Sequence, residues 1–400
     1  MKNFSALLKN CYRKYFYNTM RLIEKITAST LSINIGYFFT KRSCFLWLGI
    51  PYKHITVHSL NPLIINCDQT HKRKPPKTIR GEIPPSFSIE QGTPSKTFVV
   101  SLENGISSPC GANLTSEADF IIELSEQFGK KEATDHHLFK LRTKKLFPKI
   151  KHYKNSVVSI AAKSQHNYFH WLFDVLPRLH LANESGIPFD KVYVEYNTPI
   201  QKETLKLLGY NSKDIIEAEQ GTYISASLLI VPSFLFYPRD DIHTWGCRFL
   251  RERFLPHIKV AQNKTNATIK KIYISRKDAT RRMVINEEDI IELLNNYGFT
   301  AIELTGKTFL EQAKIFNDAD IIVAPHGAAM ANLVFCKPDT KVIELFAPEY
   351  MHKLYWDLSQ AVGLDYYYLR GEDNNAYKSG DPCYHDIKIN IADLTSILAT

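Results

Sequence analysis

Paired cysteines are missing from this 400-residue chain. Cys11, Cys44, Cys67, Cys110, Cys247, Cys336 and Cys383 are scattered, with no CxxC pair and no His/Cys ligand spacing. That pattern argues against a disulfide framework or a structural zinc site and for reduced thiols. A secretory h-region is missing too. The basic run Lys9, Arg13, Lys14, Arg21 and Lys25 leads into no apolar core, and the first fifty residues hold no uncharged span of about 20 residues. A cytoplasmic protein is therefore expected. The sequence also lacks a nucleic-acid-binding motif, a repeat of fixed period, and an Asp-x-Asp pair in a loop after a strand that could carry a metal-bound diphosphate. Neither a nucleic-acid partner nor a resident metal or cofactor is expected.

What is present is positive charge and apolar content. The formal net charge of +9 points to anionic partners, such as nucleotide phosphates or lipid headgroups. Phe38-Phe39 and Phe45-Leu46-Trp47-Leu48 flank Lys41 and Arg42, a poor membrane span but an interfacial stretch, so peripheral contact with the inner face of an anionic membrane is expected. With 44% hydrophobic residues, the chain can fill two cores of about 150 to 200 residues each.

Punctuation organises the rest. A polar, Pro-rich stretch over 68–100 (Lys74-Pro75-Pro76, Pro84-Pro85, Pro94) reads as an exposed loop or edge hairpin outside any core. From about 155, strands and helices alternate: Val157 to Ile160, a helix from Tyr168, Val192 to Val194, a helix near 199–208, and Leu228 to Val231. After Pro256 and a polar linker the alternation restarts at Lys271. A helix capped by Asn286, a strand at Thr300 to Leu304, and a helix opened by the Thr308/Glu311 capping box follow. Strands at Asp320 to Ala324 and Lys341 to Phe346 complete the pattern. Two doubly wound α/β units imply a ligand cleft between them.

Three blocks carry chemistry. In Ile321 to Asn332 an apolar strand breaks at Pro325-His326-Gly327-Ala328-Ala329 into a helix start. Small residues there let a phosphate approach backbone N–H groups, although the same residues also suit plain helix–strand packing. Glu344, in the next strand, stands where nucleotide-binding folds place an acid on a ribose. In Asn167 to Leu179, His170 and Asp174 lie four residues apart on one helix face, an arrangement that suits a general base or an ordinary polar pair. His166 would join them only if the helix began earlier, giving a set that resembles metal ligands. Arg276 ends a strand beside the same cleft, with Arg281 and Arg282 in the following loop. Guanidinium groups there would neutralise a leaving pyrophosphate, and Arg281 and Arg282 are equally readable as a solvated basic loop.

Together these blocks resemble glycosyltransferase family 61, which includes bacterial capsular polysaccharide transferases and eukaryotic xylosyl- and N-acetylglucosaminyltransferases. The resemblance rests on Asn167-Tyr168-Phe169-His170-Trp171 with Asp174, Leu176 and Pro177; on Tyr273-Ile274-Ser275-Arg276 with Arg281 or Arg282 and Asn286-Glu287; and on Ala324 to Ala328 through Asn332, Phe335 and Pro338 to Glu344-Leu345-Phe346. It covers roughly residues 155 to 350 and leaves the first 150 unmatched. It implies an α/β, GT-B-like fold of two Rossmann-type domains facing a central cleft. Expected boundaries are 1–100, an N-terminal extension; 101–255, an acceptor domain; 256–350, a nucleotide-sugar domain; and 351–400, a segment returning toward the first domain. It further implies inversion at the anomeric carbon, a nucleotide-sugar co-substrate, no obligatory metal, and a glycan or lipid-linked glycan acceptor in capsular or surface polysaccharide synthesis.

On that reading His170 is the base and Asp174 orients it, or Asp174 is itself the base. Arg276, Arg281, His326, Gly327 and Ala328 hold the diphosphate, Glu344 binds the ribose, and Asn332 supports them. Asn167 and Trp171 serve the acceptor or brace the helix. Two other classes stay open: a catalytically silent glycan- or nucleotide-binding protein of the same fold, and a metal-dependent hydrolase using His166, His170 and Asp174.

Overall fold

The computed structural model describes residues 54–65, 73–80, 83–87, 96–117, 119–125, 149–219, 222–235, 241–262, 269–372 and 382–400. The aromatic stretches at 38–39 and 45–48 expected at a membrane lie outside the described residues. No described helix is long and apolar enough to cross a membrane.

The fold is mixed α/β with two sheets. Ten strands build the first: β1 (His54–Ile55), β2 (Leu63–Ile65), β3 (Thr97–Glu103), β4 (Ile106–Ser107), β5 (Asn113–Leu114), β6 (Phe120–Ile121), β7 (Lys149–Ser159), β8 (Lys191–Val194), β9 (Ile215–Glu217) and β10 (Thr222–Pro232). β10, β7, β8 and β9 lie side by side and parallel, while β3 and β4 run antiparallel against the other edge of β10. Apolar residues on alternate positions serve two faces. Val157, Leu229 and Val231 enter one cluster, and Val158, Ile160 and Ile230 enter another.

The second sheet is wholly parallel. β11 (Lys271–Ile274), β12 (Thr300–Ile302), β13 (Ile321–Pro325), β14 (Lys341–Phe346) and β15 (Asp365–Arg370) take the order β12-β11-β13-β14-β15. That is the order 2-1-3-4-5 of doubly wound nucleotide-binding sheets, whose ligand crevice opens at the carboxyl ends of the first and third strands. Here those strands are β11 and β13.

Helices cover the sheets: α1 (Tyr168–His170) and α2 (Leu176–Glu184) with a π turn (Trp171–Val175) between them, α3 (Pro199–Leu207), α4 (Thr244–Gln262), α5 (Glu287–Asn296), α6 (Phe309–Asp318), α7 (Leu354–Val362) and α8 (Ile391–Leu398). One apolar cluster takes Val158, Ile160 and Ile230 from the first sheet, Ile272, Ile274, Ala324 and Phe346 from the second, and Trp356 of α7. Polar ties cross the same boundary. Glu203 of α3 accepts from the Phe309 and Leu310 N–H groups at 2.8 and 3.2 Å, satisfying the start of α6 beside the Thr308/Glu311 capping box. Arg251 of α4 donates to the Val334 and Cys336 carbonyls at 2.6 and 2.7 Å.

Two expectations need correction. The Pro-rich stretch is not outside the core: Phe87 is 1% exposed and stacks on Tyr368, while Val99 and Val100 of β3 are buried. Its Arg73 pairs with Asp241 at 2.9 Å and Asp357 at 3.0 Å, and Lys353 completes that buried cluster. Asn286 precedes α5 but does not cap it. Its amide instead ties down Ile389, donating to the carbonyl at 2.8 Å and accepting from the N–H at 3.1 Å. The 351–400 segment supplies β15 to the second sheet and packs α8 against α5.

Candidate active site

The first polar centre arises from an irregular helix. Asn167 caps α1, its side-chain oxygen accepting from Phe169 and His170 N–H groups at 2.9 and 3.4 Å. The helix then widens into the π turn, with Leu176 N–H reaching the Trp171 carbonyl, just before Pro177, which has no N–H to continue the ladder. Within this segment His170 Nδ1 lies 2.5 Å from Asp174 Oδ2. The imidazole side chain is 28% exposed and the carboxylate 3%, so the ring fronts the pair and the acid stands behind it. Trp171 turns into the core, 1% exposed, and donates to Thr204 Oγ1 at 2.9 Å. Asn167 and Trp171 thus brace the helix. His166 is exposed ahead of α1, and among the described residues no three His, Cys, Asp or Glu side chains gather as metal ligands.

The second centre sits at the carboxyl ends of β11 and β13. Gly327 leaves β13 in extended backbone (φ 175°), not in a conformation reserved for glycine, and opens a 3₁₀ helix over Ala328–Phe335 whose first bond runs from Met330 N–H to the Gly327 carbonyl. The N–H groups of Ala328 and Ala329 precede that bond. Arg276, just past β11, lays its guanidinium against Gly327, where a Cβ would collide with Nη1. Its Nη2 donates to the Arg281 carbonyl at 3.1 Å, and its buried Nε has no partner. Glu287 holds the backbone beneath, accepting from Arg276 N–H at 3.1 Å and the Tyr273 hydroxyl at 2.9 Å.

Arg282, rather than Arg281, is the second cation turned inward. It is 8% exposed, takes a left-handed backbone (φ 52°), and donates to the carbonyls of His326 at 3.3 Å and Cys383 at 2.9 Å. Arg281 is exposed beside the Tyr384 ring. Among the described residues neither Arg276 nor Arg282 forms an ion pair. Burial lowers both guanidinium pKa values, and their mutual proximity adds to the effect on Arg276. Carbonyl partners and, for Arg282, the Tyr350 ring 5.2 Å from the guanidinium leave both positive charges without a countercharge among the described residues, which suits an anion.

Glu344 does not face a ribose. It is 0% exposed and both oxygens are engaged: Oε1 lies 2.5 Å from His326 Nδ1, and Oε2 accepts from the Tyr366 hydroxyl at 2.6 Å. Burial pushes the Glu344 carboxyl up to about 8, and burial together with Arg282 and Arg276 pushes His326 down to about 3. Both shifts favour an uncharged pair at neutrality. In that state the protonated carboxyl donates to Nδ1 and leaves Nε2–H as the donor of the imidazole. Asn332 is likewise turned inward, accepting from the Tyr168 hydroxyl at 2.6 Å and donating to the Ala329 carbonyl at 3.0 Å. It joins α1 to the 3₁₀ helix.

Tyr355, which the sequence did not single out, connects the two centres. Its ring lies 5.9 Å from Phe169, the neighbour of His170, and 5.3 Å from His326. A separate groove of about 610 Å³ runs along α4 between Thr244 and Lys259 and is lined by none of these residues.

Arg276, Arg282 and a 3₁₀-helix start thus meet at the switch point of a doubly wound sheet, with the His170–Asp174 pair on the neighbouring helix. Residues 168–343 match the family model of glycosyltransferase 61, and His170, Asp174, Arg276, Arg282, His326 and Asn332 lie inside the matched stretch. A stretch of 142 residues is 28% identical to the xylan glycosyltransferase MUCI21 of Arabidopsis thaliana, covering 34% of this chain and 28% of that relative.

Proposed function

We propose that this chain is an inverting glycosyltransferase that moves a sugar from a nucleotide-sugar donor to a glycan or lipid-linked glycan acceptor, in capsular or surface polysaccharide synthesis, with its two sheets in a GT-B-like arrangement. The reading is carried by Arg276 and Arg282: two desolvated guanidinium groups with carbonyl partners converge on the β11/β13 switch point. The donor diphosphate lies there against both arginines, the Ala328 and Ala329 N–H groups, and the His326 donor.

The reaction is a single displacement. With Nδ1 engaged by Asp174, His170 uses Nε2 to take the proton of an acceptor hydroxyl, whose oxygen attacks the anomeric carbon as the bond to the nucleoside diphosphate breaks. Asp174 orients the ring and stabilises the imidazolium. The leaving charge passes to the arginines, so no divalent ion is needed. The basic N-terminal run and its aromatic stretches are the segment we assign to contact with an anionic membrane surface.

A thermal-shift panel of UDP-, GDP- and CMP-sugars, run with and without EDTA, tests this. One nucleotide class raises Tm and does so equally in chelator; at a hundred times its Kd it adds about 2.7 kcal/mol. No stabilisation by any of them, or stabilisation only with a divalent ion, would sink the assignment.

A further inference from the structure

We infer that Tyr384 is the platform on which the donor's nucleobase stacks, an inference that rests on the diphosphate reading above. The contacts form a chain through the site. From His170 they pass to Phe169 (5.5 Å), to Tyr355 (5.9 Å) and to His326 (5.3 Å), all between ring centroids. Beyond His326, its carbonyl accepts from Arg282 Nε, and Arg282 Nη1 reaches the Cys383 carbonyl. Tyr384 follows directly. This chain of contacts links His170, through His326 and Arg282 of the anion site, to Tyr384.

A nucleotide sugar extends from its diphosphate in two directions. Its anomeric carbon has to meet the acceptor beside His170, which leaves the nucleoside on the Tyr384 side. The ring suits that role. Tyr384 is 42% exposed, whereas Tyr355 and Tyr366 nearby are 2% and 3% exposed. The chain on either side of it is tied down: Arg282 Nη1 reaches the Cys383 carbonyl, Met283 N–H donates to Asp386 Oδ1 at 2.9 Å, Ile387 N–H to the Met283 carbonyl at 2.8 Å, and Ile285 N–H to the Ile387 carbonyl at 2.9 Å. The Arg281 guanidinium lies 5.8 Å from the ring centroid and steadies it. A fixed, exposed aromatic next to a buried cation site matches a base with its phosphates, because every base offers a π face to such a ring.

Calorimetric titration of the full chain with UDP, GDP and inorganic pyrophosphate tests the inference. Tyr384→Ala should weaken the nucleoside diphosphate that the wild type binds by tenfold or more, leave pyrophosphate within about twofold, and be rescued by Tyr384→Phe. Unchanged nucleoside diphosphate binding in Tyr384→Ala overturns the inference alone. Equal weakening of both ligands also overturns it, since the ring would then merely prop Arg282. Absence of pyrophosphate and nucleoside diphosphate binding in the wild type defeats the diphosphate reading itself and the inference with it.

Discussion

The guanidinium of Arg276 occupies the space that a Cβ on Gly327 would need. Glycine is required at this turn by its neighbour and not by its backbone angle, which any residue adopts. Because the obstructing atom is the far end of a flexible side chain, Gly327→Ala should fold and should swing Arg276 away from the switch point. Nucleoside diphosphate affinity should drop roughly tenfold, the scale of one charge-assisted hydrogen bond. Wild-type affinity in a folded Gly327→Ala protein would remove Arg276 from the anion site.

The exposures of His170 and Asp174 rank their roles. His170→Ala should lower kcat by roughly 10² to 10⁴ with donor affinity nearly unchanged, because proton abstraction acts in the transition state. Asp174→Asn keeps the ring in place but loses the charge behind it, and should cost less. Steady-state kinetics with donor titration reads both. A larger loss in Asp174→Asn would make the carboxylate the base, and wild-type turnover in both would return this helix to a bracing role.

The His326–Glu344 pair predicts a pH signature of stability. Glu344 is raised from 4.5 to about 8, so between those values the folded chain keeps a proton that the unfolded chain has lost, and rising pH favours unfolding. His326 is lowered from 6.5 to about 3, so across that range falling pH favours unfolding. The two slopes oppose each other between 4.5 and 6.5. Above 6.5 the Glu344 slope stands alone, and from there to pH 8 stability should fall by about 2 kcal/mol. Urea titrations at pH 6.5 and 8 should show that loss in the wild type and not in Glu344→Gln. The same slope in both proteins would remove Glu344 as its source.

The central parallel strands are readable because they are buried on both faces and therefore appear as unbroken apolar runs: Ile322 to Pro325 and Val342 to Phe346 are buried throughout. The short antiparallel strands β4, β5 and β6 carry two residues each, too few for any period to register. β15 was missed because Asp365-Tyr366-Tyr367-Tyr368 mixes charge with aromatics. His170 and Asp174 were legible from helical spacing alone, while the π turn that frames them was not. Arg281 was preferred to Arg282 because nothing in two adjacent arginines reports the left-handed backbone that turns the second inward. Glu344 poses a related ambiguity. A carboxylate inside an apolar strand can be aimed at a ligand or locked behind one, and only its partners, His326 and Tyr366, decide which.

The apolar cluster common to both sheets also governs how a substrate can enter. Prising the sheets apart would wet Val158, Ile160, Ile274, Ala324 and Trp356 together, at about 1.5 to 3 kcal/mol for each large side chain exposed. Jaw-like opening is too costly on that scale. On the proposed function, ligands therefore reach the strand ends from the rim that carries Arg281 and Tyr384, without a swing of whole lobes.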